Sequence, residues 1–211
     1  MSSILDLLNS DVGKQIIGGA SAQSGQSADK TASVLNMALP FLLGAMKKNS
    51  ASPEGAAGLL GALTNKHDGS ILDNLGGLFE GGVDDAVQQD GAGILGHILG
   101  GSQPKIENVL SQKSGMDAGA VGQILKVAAP ILMGILGKET RQNNVSDSNG
   151  LGNLLGGLMG SGQQKEEQSF IESLLDADGD GSIIDDVAGM VLSGNKKKGG
   201  LGGLLGGLFR K

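Results

Sequence analysis

The fold is decided by two similar stretches, VLNMALPFLLGAMKK at residues 34–48 and ILKVAAPILMGILGK at residues 124–138. They lie 90 residues apart, six of their fifteen positions are identical, and most of the others exchange one apolar residue for another. In both stretches, apolar residues recur at i, i+1, i+4, i+7, i+8 and i+11, which is one face of an α-helix. Each stretch is therefore predicted to form an amphipathic helix.

Both stretches carry a proline at the same place, Pro40 in the first and Pro130 in the second. Proline has no N–H, so each removes one helical hydrogen bond to the residue four positions earlier, Asn36 or Lys126. We expect both prolines to kink or to end their helices. Because an interior proline is costly, its recurrence at the same place favours a common origin for the two stretches.

Three flanking blocks extend the match in the same order along the chain. They pair residues 16–19 with 98–101, 58–63 with 152–158, and 68–75 with 180–187. The pattern predicts a tandem duplication over about 12–82 and 94–193, although a bias toward glycine and leucine could also produce it. The predicted organisation is a first helical repeat with an N-terminal helix at 1–82, a second repeat at 83–193, and a tail at 194–211.

The composition predicts an all-α fold of short helices. Alternating strand patterns are absent, β-branched and aromatic residues are scarce, and the 39 glycines punctuate the chain. Polar residues that cap helix N-termini mark the predicted starts. These starts are Ser2 or Ser3, Ser27 or Asp29, and Asp117. Residues 140–151 and 159–168 are predicted to be exposed loops.

Several classes of function are disfavoured. The chain has no Cys, Trp or Tyr, which excludes disulfides, thiol nucleophiles and cysteine-ligated metals. A net charge of −6 and the scarcity of aromatic residues give no support to nucleic-acid binding. His67 and His97 lie far apart without a neighbouring catalytic arrangement, so we expect solvated or capping roles for them. The sequence does not indicate an enzyme.

The strongest chemical motif is an acidic loop near the C-terminus. Carboxylates at positions 1, 3 and 5 and a glycine at position 6 match the first half of an EF-hand calcium loop. Its predicted ligands are Asp176, Asp178, Asp180, the Ser182 carbonyl, and Asp185 or Asp186. Position 12 is Val187 instead of the bidentate Glu, so the predicted calcium affinity is weak, about 10⁻⁴ M or weaker. The alternative is an acidic turn that caps a helix.

The matching loop in the first repeat lacks most of these acids. Thr64 and Lys66 stand where Asp176 and Asp178 stand in the second repeat, and Asp68 keeps the Asp-Gly-Ser turn. Because a lysine at a ligand position opposes a cation, we expect this loop to bind none.

The last 18 residues, GNKKKGGLGGLLGGLFRK, differ from the rest in charge. Residues 196–211 carry five basic groups and no acid, whereas the preceding 195 residues sum to −11. We expect residues 194–211 to be flexible, and their apolar strip and lysines offer a contact to an anionic membrane. The longest apolar run, residues 34–46, is too short to span a bilayer, and no signal peptide is evident, so a cytoplasmic location is predicted.

As a whole, the sequence resembles the bacterial DUF937 family, a set of uncharacterised proteins. The resemblance rests on SILDLLNSDVGKQI, on ALPFLLGAM and AAPILMGIL, and on LLDADGDGSIIDDVAGM, and it covers almost all of residues 1–193. It implies a bacterial helical protein and carries no established activity.

Together these observations predict a non-enzymatic structural or interaction protein with a weak calcium-binding loop. Its expected partner is another protein or a second copy of itself, and nucleic acid is not expected. The alternative is a protein that associates with membrane surfaces through its basic tail.

Overall fold

A computed structural model describes residues 3–160, and this part of the chain is helical without β-strands. The all-α prediction is therefore confirmed. The helices are α1 (Ile4–Leu8), α2 (Asp11–Ser24), α3 (Ala28–Asn49), α4 (Pro53–Asn65), α5 (Leu75–Phe79), α6 (Asp85–Leu99), α7 (Gln103–Ser114), α8 (Ala118–Gln142) and α9 (Ser148–Met159). Two 3-10 turns, Ser70–Asn74 and Gly100–Ser102, join α4 to α5 and α6 to α7. The predicted tail at 194–211 lies outside the described residues.

The core is organised around α8. Seventeen of its 25 residues are buried, and α2, α3, α4, α6 and α7 all pack against it. This helix has the length and hydropathy of a membrane span, but 83% of its most apolar stretch is buried inside the protein. Its apolar character is thus accounted for by its central position among the other helices.

Both prolines lie inside helices. Pro40 is within α3, which continues to Asn49, and Pro130 is within α8, which continues to Gln142. The expectation that a proline could end these helices is therefore wrong. Each proline removes only one hydrogen bond of a long helix, and both are buried. Burial of the apolar face on either side keeps the helix intact.

The connections before the two proline helices have the same geometry. Gly25 and Gly115, each with φ 65°, end α2 and α7. One position later, the carbonyl oxygens of Gln26 and Met116 accept hydrogen bonds from Ser21 and Ser111, both at 2.5 Å. These pairs are all separated by 90 residues, which supports the duplication. The duplication itself stays a prediction, as do the proposed boundaries at 82/83 and 193/194.

The predicted helix starts are largely correct. Ser3, Ser27 and Asp117 are N-caps whose side chains accept backbone N–H groups, whereas Asp29 lies in the first turn of α3. Asp147 caps α9 in the same way. The predicted loop at 140–151 is too long, because α8 extends to Gln142 and α9 begins at Ser148.

One predicted repeat block does not hold in three dimensions. Residues 16–19 lie in the interior of α2, where Gly19 packs against the ring of Phe79. Residues 98–101 instead cross the end of α6, where Gly100 has φ 52° and stops the helix. The same short sequence thus serves helix packing in one place and helix termination in the other.

The packing of α4 and α9 is exchanged between the two halves. α4 follows α3 along the chain but packs mainly on α8, whereas α9 follows α8 and packs mainly on α3. α4, in the first half of the chain, therefore covers α8 of the second half, and α9 of the second half covers α3 of the first half.

Candidate functional site

A groove of about 1060 Å³ runs between α4 and α6. Its floor includes Met46 of α3 and Met133 of α8, which are almost fully buried. Its walls are mainly small or aliphatic residues of the two flanking helices. These are Gly55, Gly58, Leu59 and Ala62 of α4, and Ala86, Gly93, Ile94 and Ile98 of α6. The groove is thus predominantly apolar.

Glycines keep the groove walls open. A Cβ added at Gly58 or at Gly93 would meet nothing within 4 Å. Glycine inside a helix costs about 1 kcal/mol relative to alanine. These two glycines are not required by packing inside the described part of the chain, and their effect is to leave room beside the helix backbones.

One end of the groove is closed by Asn49, just before α4. Its side-chain nitrogen donates hydrogen bonds to the carbonyl oxygens of His97 and Ile98, at 3.4 and 3.1 Å. The exposed ring of His97 lies 2.8 Å from the Gly93 carbonyl oxygen in its own helix. His97 is therefore solvated, which is one of the two roles, solvated or capping, that the sequence predicted.

The other end holds three ionisable side chains. Asp90 of α6 pairs with Lys66, and its Oδ2 lies 3.7 Å from Nδ1 of His67. Burial lowers the pKa of His67, an effect that the charge of Asp90 opposes and that of Lys66 reinforces. Only 9% of His67 is exposed, so the predicted solvated role is wrong for this residue. His67 lies two residues after the end of α4, where its backbone N–H donates to the carbonyl oxygen of Ala62.

The Asp-Gly-Ser turn of the first repeat packs on α8. Gly69 has φ 99°, and a Cβ there would lie 2.9 Å from Cβ of Lys138. Gly134 and Gly137 of α8 make this approach possible, because side chains on them would overlap Ile71 and the His67 carbonyl. The turn predicted from the sequence is therefore present and is held close to the core helix.

The positively charged side chain of Arg141 contacts this turn. Arg141 donates hydrogen bonds to the carbonyl oxygen of Asp68 and, at 3.4 Å, to its Oδ2. A hydrogen bond from the backbone N–H of Ser70, and secondarily the charge of Arg141, lower the pKa of Asp68. The guanidinium of Arg141 thus supplies the positive charge next to the carboxylate of Asp68.

The predicted calcium ligands are not placed by the structure. They are Asp176, Asp178, Asp180, Ser182, Asp185 and Asp186, and all lie outside residues 3–160. Within residues 3–160, no group of three or more His, Asp or Glu side chains is arranged to hold a metal.

Sequence reasoning missed the groove and the His67–Asp90 pair. The residues that form them come from four helices, and 23 positions separate the two members of the pair. The sequence pattern that could have indicated the groove is the helical spacing of small residues on its two walls. These residues are Gly55, Gly58 and Ala62 on α4, and Ala86 and Gly93 on α6.

These features define an all-α protein with a central buried helix, glycine-mediated helix contacts and an open apolar groove. The family model described as "Bacterial protein of unknown function (DUF937)" matches residues 6–139 and 143–209. The chain belongs to the DUF937 family, as its sequence indicated. No curated protein and no solved structure matches it.

Proposed function

We propose that this protein is a non-enzymatic interaction protein whose groove between α4 and α6 binds a short apolar helix. The observation that carries the proposal is the groove, with its methionine floor and its glycine walls. A groove of this kind suits the helix-in-groove mode, in which an amphipathic helix lays its apolar face between two others.

The dimensions of the groove favour a helix of about three turns. Asn49, which precedes α4, contacts the end of α6. Lys66, which follows α4, pairs with Asp90 in the first half of α6. The two walls are thus antiparallel over most of α4. At 1.5 Å per residue, the 12 residues from 55 to 66 span about 18 Å.

The side chains that line the groove support binding over catalysis. None of the lining residues in the described part of the chain carries a hydroxyl or a thiol, so a nucleophile of the serine, threonine or cysteine type is not provided there. Asp90 is engaged by both Lys66 and His67 at one end. These ion pairs link the end of α4 to α6, and most of the remaining surface of the groove is apolar.

Methionine methyl spectra of the full-length protein test the proposal. The probe is a synthetic 12-residue peptide with Leu at i, i+3, i+4 and i+7 and with Ala and Lys elsewhere. It should shift the ¹³C-methyl signals of Met46 and Met133, which lie on the groove floor. Met116, which does not line the groove, provides the internal reference.

A groove-filling variant is the control. Gly93→Leu places a side chain in open space and improves helix propensity, so the fold should be retained. It should abolish the peptide-induced shifts. Peptide titration that leaves Met46 and Met133 unmoved, or moves them equally in Gly93→Leu, would contradict the proposal.

A second element of the proposal is the weak calcium loop at residues 176–186. It rests on the sequence, and the Asp68 turn of the first repeat supports it. There, the backbone and side-chain oxygens of one Asp-Gly-Ser turn attract the guanidinium of Arg141. The second loop has additional carboxylates where the first has Thr64 and Lys66, so a divalent cation is the expected partner.

A further inference from the structure

The tail contains a near copy of α9. LGGLLGGLF at residues 201–209 and LGNLLGGLM at residues 151–159 are identical at seven of nine positions. The differences are Gly203 for Asn153 and Phe209 for Met159. In both segments the large apolar residues follow the spacing i, i+3, i+4, i+7 and i+8, which is one helix face.

α9 shows what this sequence does within the fold. Its five apolar residues on that face, Leu151, Leu154, Leu155, Leu158 and Met159, are all buried, at most 7% exposed. They pack onto α3 and α4, while Asn153 points to solvent and a Cβ on Gly152 would meet nothing within 4 Å. A segment of this sequence is thus suited to lie on a helical surface of this protein.

The groove and the tail are complementary in size and charge. Nine residues of helix extend about 14 Å, which fits the length of the groove. Lys198 precedes the segment and Arg210 follows it, whereas Glu54 lines one end of the groove. A basic residue at one end of the segment can therefore meet Glu54 at that end of the groove.

We propose that the groove between α4 and α6 receives residues 201–209 of a second copy of this protein. The inference rests on the proposed function, and it names the partner as another molecule of the same chain. A groove that binds the tail of its neighbour makes a head-to-tail contact, which generates rings or open chains of molecules. Association should therefore grow with protein concentration.

Mixed single-cysteine variants of the full-length protein test this directly, since the natural chain has no cysteine. Gln89→Cys places a thiol on the groove rim. Gly203→Cys replaces the residue that corresponds in sequence to the exposed Asn153 of α9. When the two proteins are mixed and oxidised, the heterodimer should form about tenfold faster than with the control partner. That control is Lys14→Cys, at an exposed position of α2 that does not line the groove.

If the inference is correct, the fast heterodimer formation depends on the apolar residues of the tail segment. Adding Leu204→Asp and Leu208→Asp to the Gly203→Cys protein should reduce heterodimer formation to the Lys14→Cys rate. Equal rates for Gln89→Cys and Lys14→Cys would overturn the inference. A chain with both cysteines that closes only within one molecule would also overturn it, as would tail binding to phosphatidylglycerol vesicles without any heterodimer.

The methionine experiment separates this inference from the function on which it rests. If the synthetic peptide shifts Met46 and Met133 but no heterodimer forms, the groove binds helices and the tail is not its partner. If neither occurs, both proposals are wrong.

Discussion

Gly91 of α6 faces the backbone carbonyl of Lys126, the carbonyl that Pro130 leaves without its helical N–H partner. A Cβ on Gly91 would overlap this oxygen, so the two backbones touch directly. The α-carbon hydrogens of a glycine can act as weak donors to such a carbonyl. In the first half of the chain, the corresponding residue Asn36 is exposed, where water can reach it. The two prolines are therefore accommodated differently.

Gly91→Ala should destabilise the protein. The added methyl group meets a backbone atom that cannot move away, and overpacking of this kind costs about 1–3 kcal/mol. This cost is at least as large as the gain of about 1 kcal/mol in helix propensity, and because the overlap is with a backbone oxygen we expect a net loss of stability. Gly93→Ala, two residues further on, has open space and should raise stability by up to about 1 kcal/mol. Urea denaturation measures both, and a stabilised Gly91→Ala would refute the proposed contact.

The paired serine turns should contribute equally. Ser21→Ala and Ser111→Ala each remove a hydroxyl that donates to a backbone carbonyl at 2.5 Å in a partly buried turn. Loss of such a hydrogen bond costs about 1 kcal/mol. We expect the two unfolding free energies to fall by amounts that agree within about 0.5 kcal/mol. If one substitution is neutral and the other is costly, the two turns are not energetically equivalent.

The features that the sequence predicted correctly are local. Helical periodicity at residues 34–48 and 124–138, and the caps at Ser27 and Asp117, depend on residues within one or two turns. The contacts of Gly69 with Lys138 and of His67 with Asp90 join distant segments, and no local pattern specifies them. The glycines illustrate the limit, because a sequence does not distinguish Gly91, which packs on a backbone, from Gly93, which faces open space.

The free energy of unfolding should decrease below neutral pH, because His67 takes up a proton more readily in the unfolded chain. Burial lowers the pKa of His67 in the folded protein below its ordinary 6.5. The unfolded chain therefore takes up a proton that the folded protein rejects, so acidification through pH 6.5 favours unfolding until the lower folded pKa is reached. The stabilisation is complete above pH 6.5 and is lost below it. Urea midpoints at pH 8 and pH 5 measure the change.

Two variants assign the pH effect to this histidine. His67→Gln should flatten the dependence of the urea midpoint on pH between 8 and 5. Asp90→Asn should extend the loss to lower pH, because the charge of Asp90 raises the pKa of His67 and so limits the shift. An unchanged slope in His67→Gln would assign the effect to other groups.

The full-length protein should bind calcium through residues 176–186. Asp176, Asp178 and Asp180 stand at alternate positions of the sequence, and in the calcium loop that we propose a divalent cation would relieve the repulsion among their charges. Calorimetry should give a Kd of about 10⁻⁴ M or weaker, with about 1.4 kcal/mol of stabilisation at tenfold excess over Kd. Asp178→Ala and Asp180→Ala should abolish the heat, whereas Asp68→Asn should leave it intact, because Arg141 already supplies the positive charge at that turn. The absence of both heat and a shift in Tm at millimolar calcium would leave the loop as an acidic helix cap.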